Sequence, residues 1–300
     1  MATRRTGTAA SPRAGKRRPP GLALHATMSP RERNTAVDAF RATLTERLDA
    51  EHEALVSETE LRAAADAPMR ALLASQAPAA RARATLGRLF EVERKRGIRS
   101  FHSTAISPPR FHMEIAPGIE VIAPPYDLQW HTALSQSSKA DGVFNVAALL
   151  GYEASGLGVL LSSAVAAAVS FRPVVPFRYL WVNSATQAAC SSRGGLGMLV
   201  YRNGEATPLI DRQHVLWSDY RDAYSPLAKG SDDGYFATEF SPGDLLLPVE
   251  AGDSFRIWIW CWSTAHAVNS AGKVALSTGF IECRMPFIVV DTGPPLPPVR

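Results

Sequence analysis

Between Asp253 and Ser263 the chain reads D-S-F-R-I-W-I-W-C-W-S, and this run constrains the fold more than any other. In an extended strand Phe255, Ile257, Ile259 and Cys261 fall on one face, and Arg256, Trp258, Trp260 and Trp262 on the other. No helix sets three indoles at every second residue to one side, so the run is a strand. Both faces are apolar, and a layer must cover each. A buried aromatic side chain accounts for about 150–250 Å², so the three indoles represent on the order of 450–750 Å². The largest apolar patch on a soluble monomer is about 300–600 Å². Open water is thereby excluded as the cover. A second sheet, the N-terminal helices, another subunit or a ligand such as a sugar ring remain.

Around this strand, residues 98–290 alternate short β-branched and aromatic runs with proline pairs and turns. Runs are expected at Ile119–Ala123, Leu128–Thr132, Val143–Leu150, Gly158–Ser162, Val165–Phe171, Phe177–Asn183, Gly197–Arg202, Gln213–Trp217, Tyr235–Phe240, Asp244–Pro248, Val274–Ser277 and Phe280–Val290. Many short strands without alternating helices predict a mainly antiparallel, jelly-roll-like sandwich of about eight or more strands. Arg202-Asn203-Gly204-Glu205 marks a hairpin, and Glu250–Asp253 a tight turn feeding the tryptophan strand. Leu160–Val169 reads as strand–turn–strand, with a short buried helix as its rival.

The fold class is α+β by segments, because an α-helical module at 29–97 precedes the sandwich. Ser29-Pro30-Arg31-Glu32 is a capping box with proline at the first helical position. Val37, Phe40, Leu44, Leu48 and Leu55 repeat at three- and four-residue steps. Ser57–Glu60 is a second capping box that predicts a break, and further starts follow at Pro68 and Pro78. The last helix carries Leu86, Leu89, Phe90 and Val92 and ends in Glu93–Gly97. Such alanine-rich helices with a narrow apolar stripe need something to pack on.

Residues 1–28 form a basic arm expected to be disordered. Eight cations (Arg4, Arg5, Arg13, Lys16, Arg17, Arg18, Arg31, Arg33) oppose only Glu32 before Asn34, which exceeds the whole-chain charge of +4. A polycation of this kind binds nucleic acid through phosphate contacts; the plainer reading is a solvated tail. Residues 291–300 are a proline-rich tail whose ending matches a PxxPxR ligand, with a plain extended tail preferred. No run of about 18 apolar residues predicts a membrane helix. No secretory leader pattern is present, so synthesis in the cytoplasm is expected.

Motifs of chemistry are sparse. No nucleophile elbow, phosphate loop, H-E-x-x-H or C-x-x-C pair occurs, and neither a cofactor nor a metal is expected. His102, His112 and His131 have the wrong spacing for a zinc set. Asp232-Asp233-Gly234 offers calcium oxygens but reads better as a turn. Gly194, Gly195 and Gly197 read as a hairpin loop. Of the cysteines Cys190, Cys261 and Cys283, the last two are expected as buried thiols, with a disulfide between them as the alternative. Phe177, Tyr179 and Trp181 make a second aromatic stripe. The candidate ligand or partner surface is therefore Arg256, Trp258, Trp260, Trp262, Tyr179 and Trp181, and the candidate nucleic-acid residues are Arg4, Arg5, Arg13, Lys16, Arg17 and Arg18. The leading function is a non-enzymatic binding or assembly protein that self-associates or takes a protein partner. A glycan-binding or glycan-cleaving domain and a coat-like nucleic-acid protein are the alternatives.

Overall fold

The computed structural model describes residues 28–65, 119–122, 128–132, 134–138, 142–163, 166–186, 188–223, 225, 227–236, 247–268 and 274–293. The basic arm, the later helices, His102, His112 and almost all of the proline-rich tail lie outside these residues.

One helix, α1 (Pro30–Ala65), opens the described chain. Ser29 Oγ accepts from the Glu32 backbone N–H at 3.3 Å, and the Glu32 carboxylate accepts from the Ser29 N–H at 2.8 Å. That reciprocal pair satisfies donors the first turn would otherwise leave open. The break expected at Ser57 does not occur. Thr59 instead turns its hydroxyl back to the Leu55 carbonyl at 2.6 Å and touches Ser191 of the sheet, so the residues read as a cap serve mid-helix. Ala36, Phe40, Leu44, Leu48, Leu55, Thr59 and Ala63 form the buried stripe.

Thirteen strands follow among the described residues: β1 (Ile119–Ile122), β2 (Leu128–His131), β3 (Gln136–Ser138), β4 (Val143–Ala148), β5 (Gly151–Ser162), β6 (Ala167–Thr186), β7 (Ala189–Arg202), β8 (Ile210–Arg221), β9 (Leu227–Phe236), β10 (Leu247–Val249), β11 (Ser254–Val268), β12 (Val274–Arg284) and β13 (Phe287–Gly293). All pairings are antiparallel. One sheet runs β2-β5-β11-β7-β8. The other runs β1-β13-β6-β12-β4-β3, with β9 and β10 also paired to β6. The sandwich is as expected, and the tryptophan strand β11 is the centre of the five-stranded sheet. Within Leu160–Val169 the described residues are strand up to Ser162 and again from Ala167, as preferred over a helix.

Two expectations change. The runs at 165–171 and 177–183 are one twenty-residue strand, β6, whose first part pairs β10 and β13 and whose second pairs β9 and β12. Pro173 and Pro176 sit where these partners change over, a place that tolerates the loss of a backbone donor. Gly194, Gly195 and Gly197 are not a hairpin loop but lie inside β7, with a bulge between Gly194 and Gly195. The Asn-Gly hairpin joins β7 to β8 with both residues at positive φ, 49° and 77°.

Among the described residues the apolar side chains form two main layers. Phe255, Ile257, Ile259 and Cys261 of β11 meet Phe144, Phe171, Val175 and Ile281 between the sheets. Trp258, Trp260 and Trp262 face the other way, where Ala36, Phe40, Leu44 and Leu48 of α1 close over them together with Leu128 and Trp130. All three cysteines are free and buried. Burial, with a hydrogen bond to Cys261, holds the Cys283 thiol well above its ordinary pKa.

Candidate functional site

The tryptophan face is built from β11 outward. Its indoles need room on the neighbouring strands, and glycine supplies it at each position. Trp260 is registered with Gly156 of β5 and Gly197 of β7, Trp258 with Gly158, and Trp262 with Gly195. A Cβ at Gly197 would stand 2.0 Å from the Trp260 ring, and one at Gly158 2.8 Å from Trp258. These glycines are therefore the bed on which the rings lie.

Onto this bed α1 lowers Phe40. Its ring stacks on Trp258 with centroids 4.1 Å apart and planes 3° from parallel, and meets Trp130 and Trp260 edge-on at 6.1 and 5.8 Å. Trp258, Trp260 and Trp262 are 1%, 0% and 0% exposed. Of the four covers the sequence left open, the chain's own helix is the one observed. A polar rim surrounds the contact. Arg47 donates both terminal nitrogens to Asp211 at 2.8 and 2.7 Å, and Arg193 reaches Glu51 at 2.6 Å and Glu58 at 3.4 Å. The Nε1 donors of Trp130, Trp260 and Trp262 have no acceptor among the described residues, whereas Trp217 Nε1 donates to Ser192 Oγ at 3.1 Å.

Two histidines close the far end of the contact. His52 of α1 lies 2.8 Å (Nδ1) from Thr264 Oγ1, and its ring is 6.3 Å from His266 of β11. Burial depresses both pKa values below 6.5, outweighing Asp49 and Glu53 at His52 and Glu60 at His266, while His52 itself further disfavours charge on His266. Both imidazoles are thus held neutral in the docked state, and the undocked or unfolded chain takes up protons first. Stability is complete above pH about 6.5 and falls as the pH drops below it. Thermal midpoints should be flat from pH 8 to 7 and decline below 6.5, with a shallower decline in His52→Asn; a midpoint unchanged down to pH 5 would refute the coupling.

The other predicted residues separate into three places. Arg256 shares the tryptophan face and sets its guanidinium 5.7 Å over the Tyr201 ring. Tyr179 and Trp181 project from β6 into the space between the sheets, part-buried beside the main core, and do not join the β11 tryptophans. Arg4, Arg5, Arg13, Lys16, Arg17 and Arg18 are outside the described residues. His131 is exposed at the end of β2. Among the described residues no three His, Cys, Asp or Glu side chains gather where a metal ion would bind, and no helix is long and apolar enough to cross a membrane. Asp232 and Asp233 lie within β9, so the turn expected there is a strand. The sequence reading missed Arg193 and His52, whose partners are more than a hundred residues away.

No family model matches the chain, and no curated protein matches its sequence. Solved structures found similar include a CBM61 module in complex with β-1,4-galactotriose (TM-score 0.17, 12% identity, 58% of this chain and 83% of that one). A structure described as CBM4 has a TM-score of 0.15 at 17% identity, over 50% of this chain and 94% of that one. A chain of infectious bursal disease virus, Gx strain, has 0.17 at 12% identity, over 64% and 41%. Likenesses of that size carry no argument about fold or ligand.

Proposed function

We propose that the protein is a binding and assembly protein: a jelly-roll sandwich whose five-stranded sheet is a docking face for an amphipathic helix. The jelly-roll reading is supported by nested antiparallel pairs, β4 with β12, β5 with β11, β6 with β9 and β7 with β8. Pairing first with last and inward in this way is what a long ribbon gives when it wraps into two sheets. On this reading residues 1–28 are an arm, 29–97 a helical module, 98–290 the sandwich and 291–300 a tail.

The observation that carries the assembly reading is the anatomy of the α1 contact. An aromatic centre built on Phe40 and Trp258, ringed by the ion pairs of Arg47 and Arg193, has the layout of a recognition interface. A helix laid by its apolar stripe onto an apolar face is a recurring recognition mode. Residues 66–118 separate α1 from β1, so no short connection ties the helix to its own sheet. The same contact therefore forms equally well within a chain or between two, and exchange of α1 links copies without a new surface.

Light scattering on the full-length chain across a hundredfold concentration range tests this. The proposal expects a dimer or larger assembly that dissociates on dilution. A monomer at every concentration would overturn it.

A further inference from the structure

Two of the three thiols belong to opposite layers of the sandwich and meet between them. Cys261 is on the inward face of β11, in the five-stranded sheet, and Cys283 on the inward face of β12, in the other. Both are 0% exposed, and a hydrogen bond joins the two side chains. Facing sheets usually stand about 10 Å apart, but β11 and β12 come closer here. Two residues beyond Cys261, the Ser263 hydroxyl reaches the backbone of Gly279 on β12, where an added Cβ would overlap it. A glycine at that position lets the strands converge, and convergence is what two facing cysteines need for a bridge. Cys190 is apart from both: it packs with Ala185, Ala188 and Ala275 and donates to the Ser184 carbonyl at 3.5 Å.

We infer that Cys261 and Cys283 are a disulfide-forming pair, a covalent staple between the two sheets that closes when the chain folds in the presence of a small-molecule disulfide. The thiolate of one cysteine attacks the small disulfide, forms a mixed disulfide and expels one small thiolate. The second cysteine then attacks the protein sulfur of that mixed disulfide and expels the other. The two protein thiols are oxidised, the small disulfide is reduced to two thiols, and the protons pass from the cysteines to the released thiolates. In the folded molecule neither sulfur is accessible, and burial keeps Cys283 protonated. The exchange therefore belongs to the folding chain, before the sheets close, and the same burial afterwards shields the bond from reduction. The staple lies in the inter-sheet layer, away from α1, so it is independent of helix docking.

Cell-free synthesis of the full-length chain with oxidised glutathione or with dithiothreitol, followed by alkylation and unreduced peptide mapping, tests the inference. With glutathione disulfide, a peptide pair joining Cys261 to Cys283 is expected, two hydrogens lighter than the reduced peptides, with Cys190 alkylated once the chain is unfolded. The oxidised protein should melt about 5–10 °C above the reduced one, because the bond restricts the unfolded chain. Cys283→Ala should lose both the linked peptides and the oxidant-dependent rise. Soluble protein in which all three cysteines are alkylated or carry glutathione would overturn the inference. So would a bond to Cys190, or a Cys261–Cys283 bond that lowers the melting temperature.

Discussion

Trp260→Ala is expected to destabilise the protein by about 3–5 kcal/mol, the range for truncating a fully buried aromatic side chain. The indole is 0% exposed and lies between two glycines, Gly156 and Gly197, which have no side chains to move into the space it leaves. From above α1 covers it, and the aromatic ring that meets it, Phe40 edge-on at 5.8 Å, is already committed to its stack on Trp258. The cavity therefore stays open, and the penalty should sit at the upper end of the range. A domain of ordinary stability has about 5–15 kcal/mol in total, so the urea midpoint should fall by a large fraction with the slope of the transition unchanged. A loss under about 1 kcal/mol would show that the indole layer contributes little to holding the fold.

Phe40→Ala should cost a similar amount, about 3–5 kcal/mol, but the loss should appear elsewhere. The Phe40 ring belongs to α1, and the inter-sheet core built on Phe255, Ile257 and Ile259 does not touch it. Truncation removes the centre of the docking contact and leaves Ala36, Leu44 and Leu48, with the part-exposed ion pairs of Arg47 and Arg193 that contribute little, to hold the helix. Hydrogen exchange should then show α1 amides losing protection while those of β5, β7 and β11 keep theirs. The bared indole face should bind a hydrophobic dye, and assemblies should dissociate. Uniform loss of protection in helix and sheets would mean that α1 and the sandwich are a single cooperative unit.

The sequence carried the local parts of this arrangement well. The alternation in β11, the Ser29 capping box and the Asn203-Gly204 turn each depend on residues a few positions apart, and each appears where its chemistry puts it. The area of three indoles also required a cover, and α1 was among the candidates. What was not legible depends on pairing between distant strands. Gly195 and Gly197 look like loop residues until β7 is laid beside β11, where they become the bed of Trp262 and Trp260. Asp232 between Gly230 and Gly234 reads as turn chemistry until its register with Tyr179 is known. The runs at 165–171 and 177–183 look separate, because only the sheet shows that one strand changes partners between them. Ser57–Glu60 reads as a capping box because nothing nearby reveals that Thr59 meets Ser191 on the sheet.

The most direct test of the docking account joins helix to sheet covalently and asks which molecule each belongs to. Arg47 and Asp211 face each other at the rim of the contact, 2.7 Å apart at their tips. Cysteines at both positions, bridged by a short bis-maleimide in the full-length chain, would record the partner of α1, since Cys190, Cys261 and Cys283 are buried. Exchange of α1 between copies predicts products at the mass of a dimer or higher on a denaturing gel. A single band at monomer mass, with both introduced thiols consumed, would show that each helix covers only its own sheet and would contradict assembly through α1.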